Sequence, residues 1–190
     1  MEKKFIEHHI YKLLRLIGDD PYREGLEKTP ERVARMYEQL FWGYNKNKIP
    51  KITKVKNGSD GVFCRGMLID KGMFVSHCEH HMVPFFGNYF YGYIPDKWIA
   101  GASKIGRTVD YFAARLQIQE RLAVQVLDRL EKSLHPKGSI ILIQARHLCK
   151  EMRGVKKWDS PYSYIETRGV FDVNDCGCKD EFLMRVGVTL

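Results

Sequence analysis

Gly138-Ser139-Ile140-Ile141-Leu142-Ile143-Gln144 reads as a buried strand, and the chain leads on from it into His147 and Cys149. An unbroken run of aliphatic side chains has no face to give to water, so it belongs inside a sheet. Upstream, Gln119 to Leu134 places Leu122, Val126, Leu127 and Leu130 on one side of a helix, and Ser103 to about Leu116 reads as another. Before those, Gly61 to Pro95 carries short strand-like runs: Val62, Cys64, Met67, Leu68, Met73, Val75, Val83, Phe85, Tyr89, Tyr91 and Tyr93, punctuated by Gly and Pro. Downstream, Gly154 to Phe171 looks like strand and loop, and Glu181 to Val188 a short terminal strand or helix. Strands, then two consecutive helices, then strands again predict an α+β fold with a mainly antiparallel sheet and helices on one side.

The N-terminal part is helical in pattern. Ile6, Ile10, Leu13, Leu14 and Ile17 share one face until Gly18-Asp19-Asp20-Pro21 breaks the run. Thr29-Pro30-Glu31-Arg32 predicts a second helix, with Thr29 as N-cap, ending by Gly43. We therefore divide the chain into a helical portion, 1–45, and a catalytic domain, 46–190.

At 190 residues the chain can bury a substantial core. No apolar run approaches a membrane span, and the charged start Met1-Glu2-Lys3-Lys4 is unlike a signal peptide, so a cytoplasmic protein without membrane partners is expected. Five cysteines, an odd count, argue against a disulfide framework and for reduced thiols. The formal charge of +8 suits a polyanionic substrate, although a solvated basic surface is the commoner cause. Nucleic acid is not expected, because the only basic run is the short Arg153-Gly154-Val155-Lys156-Lys157.

The chemistry lies in two short segments, Cys78-Glu79-His80-His81 and His147-Leu148-Cys149. Thiolate and imidazole are zinc ligands, and a catalytic zinc takes three protein donors where a structural zinc takes four. A tight turn can aim Cys78 and His81 at one ion. His147 and Cys149, two apart at a strand end, are expected on one face. Cys78, His81 and Cys149 would then hold Zn2+ and leave a position for water, whose pKa zinc lowers from about 15.7 to roughly 7. The alternative is a closed structural site with His80 or His147 as fourth ligand. It is disfavoured because the chain has core enough and the spare histidines stand where acids and bases are wanted.

These residues, together with Ser76-His77 and Met82-Val83-Pro84-Phe85, Gly92-Tyr93-Ile94-Pro95, Gly101-Ala102-Ser103-Lys104-Ile105-Gly106-Arg107, Gln117-Ile118-Gln119-Glu120-Arg121-Leu122 and Lys150-Glu151-Met152-Arg153-Gly154-Val155, resemble GTP cyclohydrolase I. The likeness runs in order from about Asp20 to Phe171. It implies the tunnelling fold, an antiparallel sheet backed by two long helices with a helical N-terminal portion. It also implies a toroidal homodecamer with active sites at subunit interfaces, and conversion of GTP to 7,8-dihydroneopterin triphosphate and formate. His80 would protonate N7 of guanine and His147 would serve as the second acid/base. Glu120 would accept from N1–H and the exocyclic amine, with Gln119 helping to hold the base. Lys104, Arg107, Arg153 and Arg32, with Arg35, would meet the phosphates. Ser103, at an expected helix N-cap, would donate a proton in the later sugar rearrangement.

The likeness weakens at Trp158-Asp159-Ser160-Pro161-Tyr162-Ser163-Tyr164-Ile165-Glu166, where the family has a Ser/Thr-rich strand. It weakens again at Cys176-Gly177-Cys178-Lys179-Asp180, expected as a loop with two exposed reduced thiols. Neither departure is expected to touch the catalytic set. The short N-terminus predicts no regulatory extension and no allosteric site. Left standing as alternatives are a tunnelling-fold relative acting on another pterin or deazapurine, and a structural zinc module. The pathway taking the product, whether tetrahydrofolate and one-carbon metabolism, a pterin cofactor or a deazaguanine nucleoside, stays open.

Overall fold

The structure, a computed structural model, describes residues 2–173 and 177–188. Two helices open it, α1 (Lys3–Leu16) and α2 (Thr29–Leu40). Strands β1 (Lys54–Lys56), β2 (Leu68–Cys78), β3 (Pro84–Ile94) and β4 (Trp98–Ala100) follow, then α3 (Ser103–Ala113), β5 (Leu116–Gln117) and α4 (Gln119–Leu134). The chain ends with β6 (Gly138–His147), the one-turn α5 (Leu148–Glu151), β7 (Tyr162–Gly169) and α6 (Cys178–Val186). The main sheet runs β5-β2-β3-β6-β7, antiparallel except where β5 lies parallel to the end of β2, and β1 pairs with β4 separately. The α+β expectation stands, but the helices are not confined to one side: α3 and α4 cover one face and α6 packs on the other.

Alternation along β6 explains the two-sided burial. Ile141, Ile143 and Ala145 join Phe74, Phe85, Tyr89 and Tyr91 under Leu122, Val126, Leu127 and Leu130 of α4 and Val109 of α3. Ile140 and Leu142 point the other way, to Phe171 and Phe182 of the terminal segment. Gly92 makes that second contact possible, since a Cβ there would stand 2.7 Å from the Phe182 ring. Each such fully buried side chain contributes on the order of 1.5–3 kcal/mol.

Several local expectations change. The runs between Gly61 and Pro95 are two long paired strands, and Val62 and Cys64 fall outside them in a loop. Leu116 belongs to β5, not to α3. Neither Thr29 nor Ser103 caps a helix: each lies inside its first turn, and neither helix start has a side-chain cap. Ala102 is already helical in backbone (φ −48°, ψ −42°), so Ser103 lacks the extended flanking position from which an N-cap side chain bonds back to the first turn. Cys178 starts α6 and is disulfide-bonded, not a reduced loop thiol, and Cys176 lies outside the described residues. No helix among the described residues is long and apolar enough to cross a membrane.

Register fixes what meets what. Phe85 of β3 sits opposite His147 of β6, and His77 and Cys78 of β2 flank Leu116 and Gln117 of β5. One end of the sheet therefore collects the ends of β2 and β6, the start of β3 and the start of α4. The other end collects Ile94, Gly138, β1 and β4.

Candidate metal centre and base pocket

The β2–β3 connection is a tight turn. Val83 O accepts from Cys78 N (2.9 Å), Cys78 O accepts from Met82 N (2.8 Å), and Met82 takes a left-handed φ of 55°. That turn holds Glu79, His80 and His81 at the rim. Glu79 anchors it to α4, its carboxylate accepting from both terminal nitrogens of Arg121, while Gln117 O accepts from Glu79 N at 3.0 Å. The turn is thus braced from the carboxylate and from the backbone.

Cys149 arrives differently from expectation. The strand ends at His147, and Cys149 sits in α5, so the alternation rule for a strand does not relate the two. Arg146 and the buried Glu151 carboxylate close that helical turn through a paired contact (Nε–Oε1 3.0 Å, Nη2–Oε2 2.6 Å). The guanidinium holds the Glu151 carboxyl below the usual range. As a result Cys149 faces the β2 turn, and one donor atom each from Cys78, His81 and Cys149 lies within 4.8 Å of the others. Burial and the neighbouring Cys78 push the Cys149 thiol up. Two sulfurs and one imidazole crowded together without ion-pair partners are the donor set of a soft divalent metal.

The other histidines fall outside the three-donor group. His80 Nδ1 stands 3.6 Å from Cys78 Sγ but does not join the group. His81 presents Nδ1 to Cys78 at 3.8 Å, and its Nε2 meets Arg153 Nη1 at 2.8 Å. His77 is turned away, buried against Phe41, and burial pushes its pKa down.

His147 is the best-defined side chain of the site. It stacks on Phe85, centroids 4.7 Å apart and rings 3° from parallel. Its Nε2 lies 2.9 Å from Gln119 Oε1. The Gln119 amide nitrogen donates to Ile143 O (2.8 Å) and Tyr162 O (2.9 Å). Carbonyls only accept, so the NH2 end must face them and Oε1 must face His147. Therefore His147 carries its hydrogen on Nε2, and in the neutral ring Nδ1 is the bare acceptor. Burial is the main influence lowering the His147 pKa, which favours that neutral ring. Gln119 was expected beside a bound base. Its side chain is instead buried and spent on His147 and two carbonyls. Replacing Gln119 with Leu should strand both carbonyls, at about 1–3 kcal/mol each, so chemical denaturation should show a loss of roughly 3 kcal/mol or more. A Leu variant as stable as the parent would show the amide to be dispensable.

Glu120 opens α4 half-exposed, and its Oε1 accepts from Tyr162 O–H at 3.0 Å. That contact pushes the Tyr162 phenol up. Tyr162 also sets its ring edge-on to His147, 6.1 Å between centroids. The departure from family pattern at Tyr162 thus reaches the site, contrary to expectation. No spacing signal could have found it, because its partners come from α4 and β6.

The anticipated phosphate residues are not gathered here. Arg153 is at the centre, through His81. Ser103, Lys104 and Arg107 belong to the first turns of α3, whose last turn is the part near β2: Ala113 O accepts from Ser76 Oγ at 2.7 Å. The 11-residue helix puts its start about 15 Å from that contact. Arg32 is exposed on α2 and Arg35 pairs there with Glu31 at 3.6 Å.

Sequence comparison identifies the family. The family model for GTP cyclohydrolase I matches residues 6–186. The chain belongs to the GTP cyclohydrolase I family. GTP cyclohydrolase 1 of Finegoldia magna is 41% identical over 189 residues, covering 99% of this chain and all of that one. That of Porphyromonas gingivalis is 42% identical over 183 residues (96% and 92%). That of Rickettsia bellii is 43% identical over 169 residues (89% and 88%). Among solved structures, the archaeosine synthase QueF-Like in its apo form shares 16% identity and a TM-score of 0.45 over 54% of this chain and 93% of that one, a likeness too slight to add to the assignment.

Proposed function

We propose that this chain is a zinc-dependent GTP cyclohydrolase, opening guanine at C8 to give 7,8-dihydroneopterin triphosphate and formate. The supporting observation is the convergence of one donor atom each from Cys78, His81 and Cys149 within 4.8 Å of one another. The donor set fits zinc with a coordination position to spare, since neither His147 nor His80 belongs to the group. Bound there, zinc would supply Lewis acidity and a water activated near neutral pH.

The remaining chemistry belongs to side chains. An aromatic purine resists addition at C8 unless N7 is protonated, and the mobile-proton group on the rim is His80. His147, held with Nδ1 free, can take a proton there and return it as formate departs. Glu120 offers a carboxylate to N1–H and the exocyclic amine of guanine, a pairing adenine cannot supply. Tyr162 orients that carboxylate. In Tyr162→Phe the ring stays beside His147 and the O–H to Glu120 is lost. KM for GTP should rise about fivefold, matching roughly 1 kcal/mol for one hydrogen bond, with kcat nearly kept. An unchanged KM would remove Tyr162 from base recognition.

Ser103, Lys104 and Arg107 suit the triphosphate only if they come from another copy, because the packed core separates them from the donors within one chain. Two features support such an assembly. Among the described residues, β2 from Leu68 to Ser76 and the outer side of β7 are open sheet edges. Met73 and Val75 on the open part of β2 are exposed apolar side chains.

The test is direct. Purified protein is incubated with GTP while pterin absorbance and formate are followed, with chelator and after zinc is restored. Turnover should vanish with chelator and return with zinc. No pterin at full zinc occupancy, or equal turnover with chelator present, would overturn the reading.

A further inference from the structure

A second cavity lies at the opposite end of the sheet, at about 510 Å3, between the loop after β1 and the β3–β4 connection. Four cations line it: Lys56, Arg65, Lys97 and Lys137. None of these four side chains makes a hydrogen bond or ion pair with another described residue; the one acid on the rim is Asp96, itself without an ion pair. Gathering like charges from three parts of the chain costs Coulomb energy that a bound anion would reverse.

Its walls are aromatic, Trp98 half-buried and Phe63 61% exposed. Phe63 is not on a slack loop. Asn57, buried, ties the loop to the sheet: its amide nitrogen donates to Cys64 O (3.0 Å) and Asp96 O (2.9 Å), and its Oδ1 accepts from Cys64 N (2.9 Å). Lys97 O accepts from Asn57 N at 2.9 Å. Gly58, at φ +80°, leaves room for the Phe63 ring, which a Cβ would meet at 2.4 Å. An exposed aromatic held in place by a satisfied buried amide, facing unpaired cations, is a built recess. Its volume falls within the roughly 300–1,000 Å3 of small-molecule sites.

We propose that this recess binds a small planar anion, a ring carrying phosphate or carboxylate, as a site distinct from the metal centre. The ring would lie against Phe63 and Trp98 and the anionic group among the four cations. The 11-residue β3 separates the two ends of the sheet by about 33 Å, so the recess does not share ligands with Cys78, His81 and Cys149 of its own chain. The proposal stands whether or not the first site turns over GTP.

Adenosine monophosphate is the probe, titrated by calorimetry into the zinc-loaded full chain, with adenosine and inorganic phosphate as separate arms. One molecule should bind per chain, and each half-probe should bind at least about tenfold more weakly. The double variant K97A/K137A should weaken adenosine monophosphate at least about tenfold while GTP turnover is kept. In the parent protein the probe should also slow alkylation of Cys64, an exposed thiol in the lining, read by mass spectrometry. Three results would overturn the proposal: unchanged affinity in the double variant, inorganic phosphate binding as tightly as the nucleotide, or loss of binding in Glu120→Ala, which would place the probe in the guanine pocket. Unprotected Cys64 at saturating probe would do the same without any variant.

Discussion

Cys149→Ala should reduce zinc from one per chain to near zero and turnover by about a thousandfold or more, since the metal supplies several kcal/mol and each 1.36 kcal/mol is tenfold in rate. The argument is one of donor count. Cys78 and His81 share a single turn, whereas Cys149 is the only donor of the group from outside that turn, in α5 after β6. Without it the ion would be held by two groups on one loop, for His147 lies outside the donor group and the Glu151 carboxylate is paired with Arg146. The thiol is small and only half-buried, so its loss should cost the fold about 1 kcal/mol or less. Metal analysis and a thermal melt on the same sample separate lost zinc from lost structure. A variant that keeps zinc and turns over at about half the parent rate would refute the donor assignment.

His80→Ala should give the complementary result, with zinc retained and turnover lowered by roughly 10²–10⁴, the usual worth of a general acid. His80 is exposed at the rim of the turn, which is held by Glu79, Arg121 and backbone contacts that the substitution leaves alone. The variant should therefore fold. Its Nδ1 is 3.6 Å from Cys78 Sγ, so a ligand role is the rival account, and the two accounts differ in one measurement. Loss of zinc along with activity would make His80 a ligand. Normal turnover would make it a bystander.

Much of this was legible in the chain because it was local. The face of α4 was visible in Leu122, Val126, Leu127 and Leu130, and the bounds Gln119–Leu134 match. The two-sided burial of β6 was visible in its aliphatic run. Caps were misread, since Thr29 and Ser103 each lie one residue inside the helix, a difference of backbone angle that residue type does not encode. The strand rule failed for His147 and Cys149 because the Arg146–Glu151 pair folds the chain into a helical turn between them. Gln119 and Tyr162 were beyond reach for a different reason. Their work depends on β6, β7 and α4 meeting at one point, and contact between distant segments leaves no periodic trace. Gln119, expected to help hold the base, has its side chain bracketing the His147 imidazole.

The orientation of α3 carries its own consequence. With Lys104 at one pole and the sulfur donors at the other, a solitary polypeptide would, on the proposed reading, own two half-sites facing different neighbours. Catalysis would then be a collective property. Rate per chain would fall on dilution as copies part company, even with every ion in place and every helix intact.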